Sequence, residues 1–419
     1  MNKPFIYRLD WIIIFCYLFL ISFGIINIYS SSYTMEANNM ITLKSLTGKQ
    51  ILYLIISLFI GVFTLSVRTR FFQQFSKIVY IMSIISLVGL FIFGETVNGA
   101  KSWYLFWGSS VQPSEFAKIT CSLMIAKHLS DFQTDIKNTK SLLLGLIIIL
   151  VPAFLIAIQP DPGSAIIFSS FFLVFIKEGA SFNYLIVFII AMSLFIITLL
   201  IPLEFIIYGI ITIGSSIIFY SKKYNLKVKV ASILSLIFVT VIFVFSVSFI
   251  FNSVFEQRHR DRFNVMLGVI EDSKGIGYNI NQSKIAIGSG GLTGKGFLKG
   301  TQTKGNFVPE QQTDYIFSTV GEEWGFLGSL MLIIVFVVLI LRMINQAEKQ
   351  SNTFRKTFIY SISCLFLLHF IINIGMSLGL LPTIGIPLPF ISSGGSSLLT
   401  FSLMIFIYLN FDANRLIEW

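Results

Sequence analysis

Charge is scarce in this sequence. Asp, Glu, Lys and Arg together make up 12% of 419 residues, against 55% for the hydrophobic types. A soluble domain has no interior large enough for that apolar share, so the composition excludes soluble folds and indicates a polytopic membrane protein. The mean hydropathy of +0.83 agrees. Cysteine is nearly absent. Cys16, Cys121 and Cys364 sit in separate apolar stretches with no CxxC spacing, which excludes a disulfide framework and a thiolate metal centre. The three histidines, His128, His259 and His369, form no HExxH or other ligand spacing. His369 falls inside an apolar run, where an ionisable group is costly and usually faces a protein interior. The net charge of +10 does not point to nucleic acid, because the basic residues gather in short connections, as membrane orientation requires.

What is present is a series of apolar runs, each near the ~20 residues that cross a bilayer. They predict an all-α polytopic integral membrane protein with spans at 11–29, 49–67, 76–94, 113–130, 141–158, 162–177, 183–201, 203–220, 228–252, 314–341, 356–379 and 394–411. Lys3 and Arg8 precede the first run like a signal peptide, but so many spans follow that a retained first helix is the expectation. The twelfth span depends on a break at Pro202 and Glu204. Four basic loops share one side under alternating crossings: Arg68 to Lys77, Lys127 to Lys140, Lys222 to Lys229, and Arg342 to Lys356. That side is cytoplasmic by the positive-inside rule, and it holds both termini. The chain therefore reads as one membrane domain in three stretches. Residues 1–252 form the N-terminal spans, 253–313 one long extracytoplasmic loop, and 314–419 the C-terminal spans.

That long loop carries eight Lys/Arg against five acids, and a cationic outer loop suits an anionic substrate at the outer leaflet. Within it IGSGGLTGKG, 287–296, fails the P-loop pattern, since Ser289 stands at the first glycine and Gly296 follows Lys295. Successive glycines could still expose backbone N–H groups as an anion nest, with a diphosphate as guest. Asp314, in PEQQTDYIFSTVGEE at 309–323, stands where this polar stretch meets an apolar span. It is either a carboxylate at the first helical turn or a general base at the membrane boundary. Glu115 and Lys118, at i, i+3 near the outer end of a span, can meet as a structural pair or contact substrate. Asp161 lies in the turn QPDPG, 159–163, where Asp is common for local reasons. PTIGIPLPFISSGGSS, 382–397, cannot be regular helix and must line a cavity or be buried in protein. Ser392, Ser393, Ser396 and Ser397 are donors there.

These stretches together resemble the SEDS family of cell-wall glycosyltransferases (shape, elongation, division and sporulation). The matching runs are NGAKSW at 98–103, QPSEFAK at 112–118, QPDPG at 159–163 and GYNINQSKIAIGSGG at 277–291, then PEQQTDYIF at 309–317, GEEWGFLG at 321–328 and GIPLPFISSGGSS at 385–397. They occur in the family's order across the whole chain, and GKGFLKGTQ at 294–302 is similar to the elongation branch rather than the division branch. The resemblance implies a multi-pass protein of the bacterial cytoplasmic membrane that polymerises lipid II on the outer face and releases undecaprenyl diphosphate. It implies Asp314 as the catalytic residue and gives functional weight to Glu115, Lys118 and Asp161. Lys118, Arg260, Arg262, Lys284, Lys295 and Lys304 become candidates for the leaving diphosphate, with Gln312, Ser393 and Ser396 as further substrate contacts. A divalent cation, Mg or Mn, could share that role, although no motif fixes one. The implied partners are lipid II, membrane lipids and a class B penicillin-binding protein that cross-links the strands. Two departures stand out. The family norm is ten spans, and the two extra fall between 178 and 252. Leu267-Gly268-Val269 also replaces the family's frequent Leu-Asp-Pro. A precursor flippase, a division polymerase and a non-catalytic scaffold are the competing readings.

Overall fold

The computed structural model describes residues 5–33, 45–97, 99–106, 109–131, 136–224, 229–254, 257–267 and 276–415. The principal helices in chain order are α1 (Trp11–Ser32), α2 (Leu46–Ser66), α3 (Thr69–Phe93), α4 (Pro113–Ser130), α5 (Thr139–Ile158), α6 (Pro162–Ile167), α7 (Phe171–Lys177), α8 (Asn183–Leu200), α9 (Leu203–Lys223), α10 (Val230–Phe249), α11 (Gln257–Met266), α12 (Ile276–Ser289), α13 (Thr301–Lys304), α14 (Ile316–Ala347), α15 (Thr353–Ser377) and α16 (Gly395–Ala413). Each of the twelve apolar runs contains helix. Ten helices among the described residues are long and apolar enough to cross a membrane. Of the other two runs, α4 carries Glu115, Lys118 and Lys127, and 162–177 is short and broken by a 3-10 turn at Phe168–Ser170. A small antiparallel sheet, β1 (Glu95–Val97), β2 (Ala100–Phe106) and β3 (Ser109–Val111), joins α3 to α4 in the order β1-β2-β3.

The chain divides into two compact units, Met1–Ala180 with Asn279–Trp419, and Ser181–Tyr278. These bounds differ from a division at 252 and 313. The described part of 253–313 contains α11, α12 and α13, and its two halves belong to different units. The smaller unit holds the three helices expected between 178 and 252, with the break at Pro202, the N-cap of α9. No residue of α8 is buried, and such an apolar, uncovered helix is suited to lipid. Inside this unit Phe263 of α11 meets Phe195 and Phe251 edge-on, with ring centroids 5.9 and 6.1 Å apart.

The larger unit is a helical bundle with a polar cluster at each end. At the end where α1 begins and α16 ends, Asp10 caps α1, accepting from Ile12 N (3.2 Å), and also accepts from Arg342 Nε at 2.8 Å and the Tyr408 hydroxyl at 3.1 Å. α14 runs past the expected end at 341, and Arg342, a third exposed, pairs with Asp10 from within the helix. Asn410 of α16 donates to the carbonyls of Thr64, Leu65 and Val67 and so ties off the end of α2. Between the two ends lies an apolar core that includes Phe336, Phe358, Phe366, Phe401 and Phe411.

Candidate active site

The opposite end of the bundle collects the motifs. Asp161 is the N-cap of α6, accepting from Ser164 N (3.0 Å) with Pro162 at N1, which is the local preference of both residue types. Its other oxygen accepts from Gln112 Nε2 at 3.0 Å, so the turn before α6 is joined to the start of α4. A Cβ at Gly163 would run into the Ile384 carbonyl, and only glycine lets α6 seat that closely against the segment 382–394. This segment is irregular, as its prolines require, and buried at Ile386, Leu388 and Phe390.

Asp314 stands one residue before Tyr315, the N-cap of α14. It is half-buried, and a Cβ at Gly385 (φ 72°) would lie 3.5 Å from its Oδ2. Three successive backbone carbonyls fix its approach. Gln312 O accepts from Ser393 N (2.8 Å), Thr313 O from Ser392 Oγ (2.6 Å), and Asp314 O from Asn373 Nδ2 (2.9 Å). The same Asn373 nitrogen donates to Ile386 O at 2.8 Å, and Ser392 Oγ accepts from Leu388 N at 2.8 Å. Gln50 of α2 closes the arrangement from the other side through Gly394 N (3.1 Å). Gln312 and Ser393 therefore enter through their backbones. Ser396 is buried in the first turn of α16.

Glu115 and Lys118 form an ion pair of 2.7 Å with side chains 2% and 1% exposed. Lys118 Nζ also lies 3.1 Å from His369 Nε2. Full burial leaves Lys118 no solvent face here.

The glycine run packs against the protein's own backbone. Gly325 (φ 64°) breaks α14, and residues 290–296 lie along the break. Lys295 N and Gly296 N donate to Glu322 O and Glu323 O, both at 3.0 Å, while Phe326 N and Leu327 N donate to Gly291 O and Leu292 O. Side chains at Gly294 or Gly325 would collide with the opposing backbone. The carboxylate that is held by backbone N–H groups belongs to the protein. Glu322, 0% exposed, accepts from Gln302 N (2.8 Å), Thr303 N (2.9 Å) and Lys295 Nζ (2.7 Å). The run is thus no open anion nest, and Lys295, a quarter exposed, serves Glu322. Lys304 lies 4.0 Å over the Tyr33 ring and donates to Ser30 O (3.2 Å). Burial lowers its pKa, partly offset by the charge of Glu323. Glu323 itself accepts from Ser30 Oγ. Arg260 and Arg262 lie in the smaller unit, where Arg260 donates to Asn252 O and Gln257 Oε1. Lys284 is exposed, and its side chain lies over Gly379, where a Cβ would collide with its Cε and Nζ.

Sequence reasoning did not single out Gln50, Gln112, Gln311, Glu322, Glu323 or Asn373. Asn373 had a signal, since it follows His369 at i+4 inside an apolar helix. Gln311 anchors the 310–315 turn, donating to Ser31 O at 2.9 Å and Thr303 O at 3.0 Å. Among the described residues no three His, Cys, Asp or Glu side chains converge as a metal site. Substituting Lys295 by Met should lower stability by about 1.5 kcal/mol, the low end for a hydrogen bond to a charged group because Lys295 is partly solvated. Thermal unfolding in detergent checks this, and a further Glu322→Gln change should recover part of the loss.

A family model described as "Cell cycle protein", for FtsW, RodA and SpoVE, matches residues 10–208 and 205–416. The chain is 31% identical to the Escherichia coli peptidoglycan glycosyltransferase MrdB over 83% of this chain and 80% of that one. It is 31% identical to the Treponema pallidum peptidoglycan glycosyltransferase RodA over 97% and 98%, and 31% identical to a probable peptidoglycan glycosyltransferase FtsW of Enterococcus hirae over 98% and 94%. Its fold is that of a solved chain from a peptidoglycan synthase complex that coordinates polymerization and crosslinking, with TM-score 0.71, 22% identity and coverage of 98% and 99%.

Proposed function

The chain belongs to the FtsW/RodA/SpoVE family of cell cycle proteins, and from that membership we propose the reaction, the base and the setting in which it works. It is a peptidoglycan glycosyltransferase. It transfers disaccharide-peptide units from lipid II to a growing glycan strand in cell elongation. The acceptor hydroxyl attacks the anomeric carbon, the bond from that carbon to the diphosphate oxygen breaks, and undecaprenyl diphosphate departs with the electron pair. Asp314 takes the hydroxyl proton. The observation that carries this assignment is the fixed backbone beside the Asp314 carboxylate. Three carbonyls in a row are bound, and Gly385 lies against the carboxylate, where a Cβ would fall 3.5 Å from Oδ2. Preorganisation of this kind keeps a base in place through the reaction.

The setting is the bacterial cytoplasmic membrane, with both termini inside and the Asp314 end of the bundle outside. The partner is a class B penicillin-binding protein that cross-links the strands. Purified protein should convert lipid II to glycan polymer with release of undecaprenyl diphosphate, and polymer resolved by gel is the measurement. Failure to make polymer, alone and with its partner, would overturn the function. A division role like that of FtsW has support in the Enterococcus hirae relative, and depletion phenotype separates it: rounded cells indicate elongation, filaments division.

For the leaving diphosphate, geometry favours Lys284 among the four cations of the larger unit. Lys118 and Lys295 serve acids, and Lys304 serves carbonyls. Lys284 lies over Gly379, six residues before Gly385. Lys284→Ala should weaken inhibition by undecaprenyl diphosphate about tenfold, within the range of one charge-assisted contact. Equal inhibition of mutant and wild type would remove Lys284 from the site.

A further inference from the structure

We propose that Asn373 and His369, one turn apart on α15, are the positioning residues of the catalytic carboxylate, and that they connect the buried Glu115–Lys118 pair to it. The inference rests on Asp314 being the base. Asn373 is fully buried, and its amide nitrogen has two carbonyl acceptors, Asp314 O at 2.9 Å and Ile386 O at 2.8 Å. One side chain thus joins the turn that carries Asp314 to the segment that carries Gly385. Two carbonyls opposite the same atom fix its identity as the NH₂, since an oxygen there would face two acceptors. Its Oδ1 is buried with no partner. The side chain's hydrogen bonds are therefore the two it donates to these carbonyls.

His369 acts on the next residue of the same segment. Lys118 Nζ is only a donor, so the facing His369 Nε2, 3.1 Å away, must accept. The ring proton is therefore on Nδ1, which donates to Pro387 O at 3.1 Å. Lys118 in turn is held by Glu115 at 2.7 Å. The carbonyls of Ile386 and Pro387 are thus gripped by adjacent turns of α15, and the ion pair selects the tautomer that grips the second. Glu115 and Lys118 act on Asp314 through His369 and the 382–394 segment, without touching substrate.

The test measures lipid II polymerisation by purified Asn373→Ala, His369→Asn and His369→Gln proteins beside Asp314→Asn. Asn373→Ala should lower kcat about tenfold to a hundredfold, the scale of a small misplacement of a reacting group, with KM for lipid II nearly unchanged. The histidine pair separates the two ring contacts. The amide of Asn reaches where Nδ1 stands and keeps the bond to Pro387 O, whereas that of Gln reaches where Nε2 stands and keeps only the Lys118 side. His369→Asn should retain several-fold more activity than His369→Gln. If Asn373→Ala keeps wild-type kcat, or loses activity through KM alone, the positioning role is wrong. If Asn373→Ala does not fold, the histidine pair decides, and equal loss in both overturns the connection to Pro387. Activity in Asp314→Asn would instead refute the base assignment, so the two failures are distinct.

Discussion

Asp314→Asn is expected to abolish polymerisation while the protein folds and inserts normally. The substitution is near-isosteric. Its backbone carbonyl still accepts from Asn373, and the bonds of Ser392 and Ser393 to Thr313 and Gln312 are untouched. What is lost is the capacity to take a proton from the acceptor hydroxyl. General base catalysis contributes ~10²–10⁴-fold, and a loss of that order in kcat is the expected result. KM for lipid II should change little, because the diphosphate contact assigned to Lys284 is elsewhere. A purified mutant with more than about a tenth of wild-type kcat would refute the base assignment. Thermal unfolding should coincide with wild type, since Asp314 is half-buried and outside the apolar core.

The spans were legible because an apolar run of bilayer length has one meaning whatever surrounds it. The turn before α6 was also legible, since Asp161 and Pro162 act on their own backbone. Tertiary pairings were not. Nothing local marks Arg342 as a residue that would stay in the helix. It does, and Asp10, at the other end of the sequence, meets it there. The glycine run at 287–296 reads as backbone able to hold an anion, but the N–H groups that hold one are those of Gln302 and Thr303, outside the run. That the anion is Glu322 depends on the break at Gly325, which sequence alone does not reveal. Similarly, Glu115 and Lys118 predicted each other through their spacing, whereas His369 joins them across a separation of 251 residues. Local rules fixed which groups were present, and long-range packing decided which were already occupied.

Breaking the Glu115–Lys118 pair has the second large expected effect, on folding first. Both side chains are almost fully buried, and removing one leaves an uncompensated charge in a low-dielectric interior, at a cost of about 3–5 kcal/mol. Lys118→Ala should therefore reduce the amount of folded protein sharply, as should Glu115→Ala. The reciprocal exchange, Glu115→Lys with Lys118→Glu, restores neutrality and should recover folded yield. Activity should recover only in part. A carboxylate at position 118 would accept from His369 Nε2, which moves the ring proton away from Nδ1 and turns the bond to Pro387 O into a contact between two acceptors. Folded yield and kcat are thus expected to separate in the exchanged protein. Full recovery of both would show that the pair matters only for its charge balance. Folded, active Lys118→Ala protein would show that the burial carries no such cost.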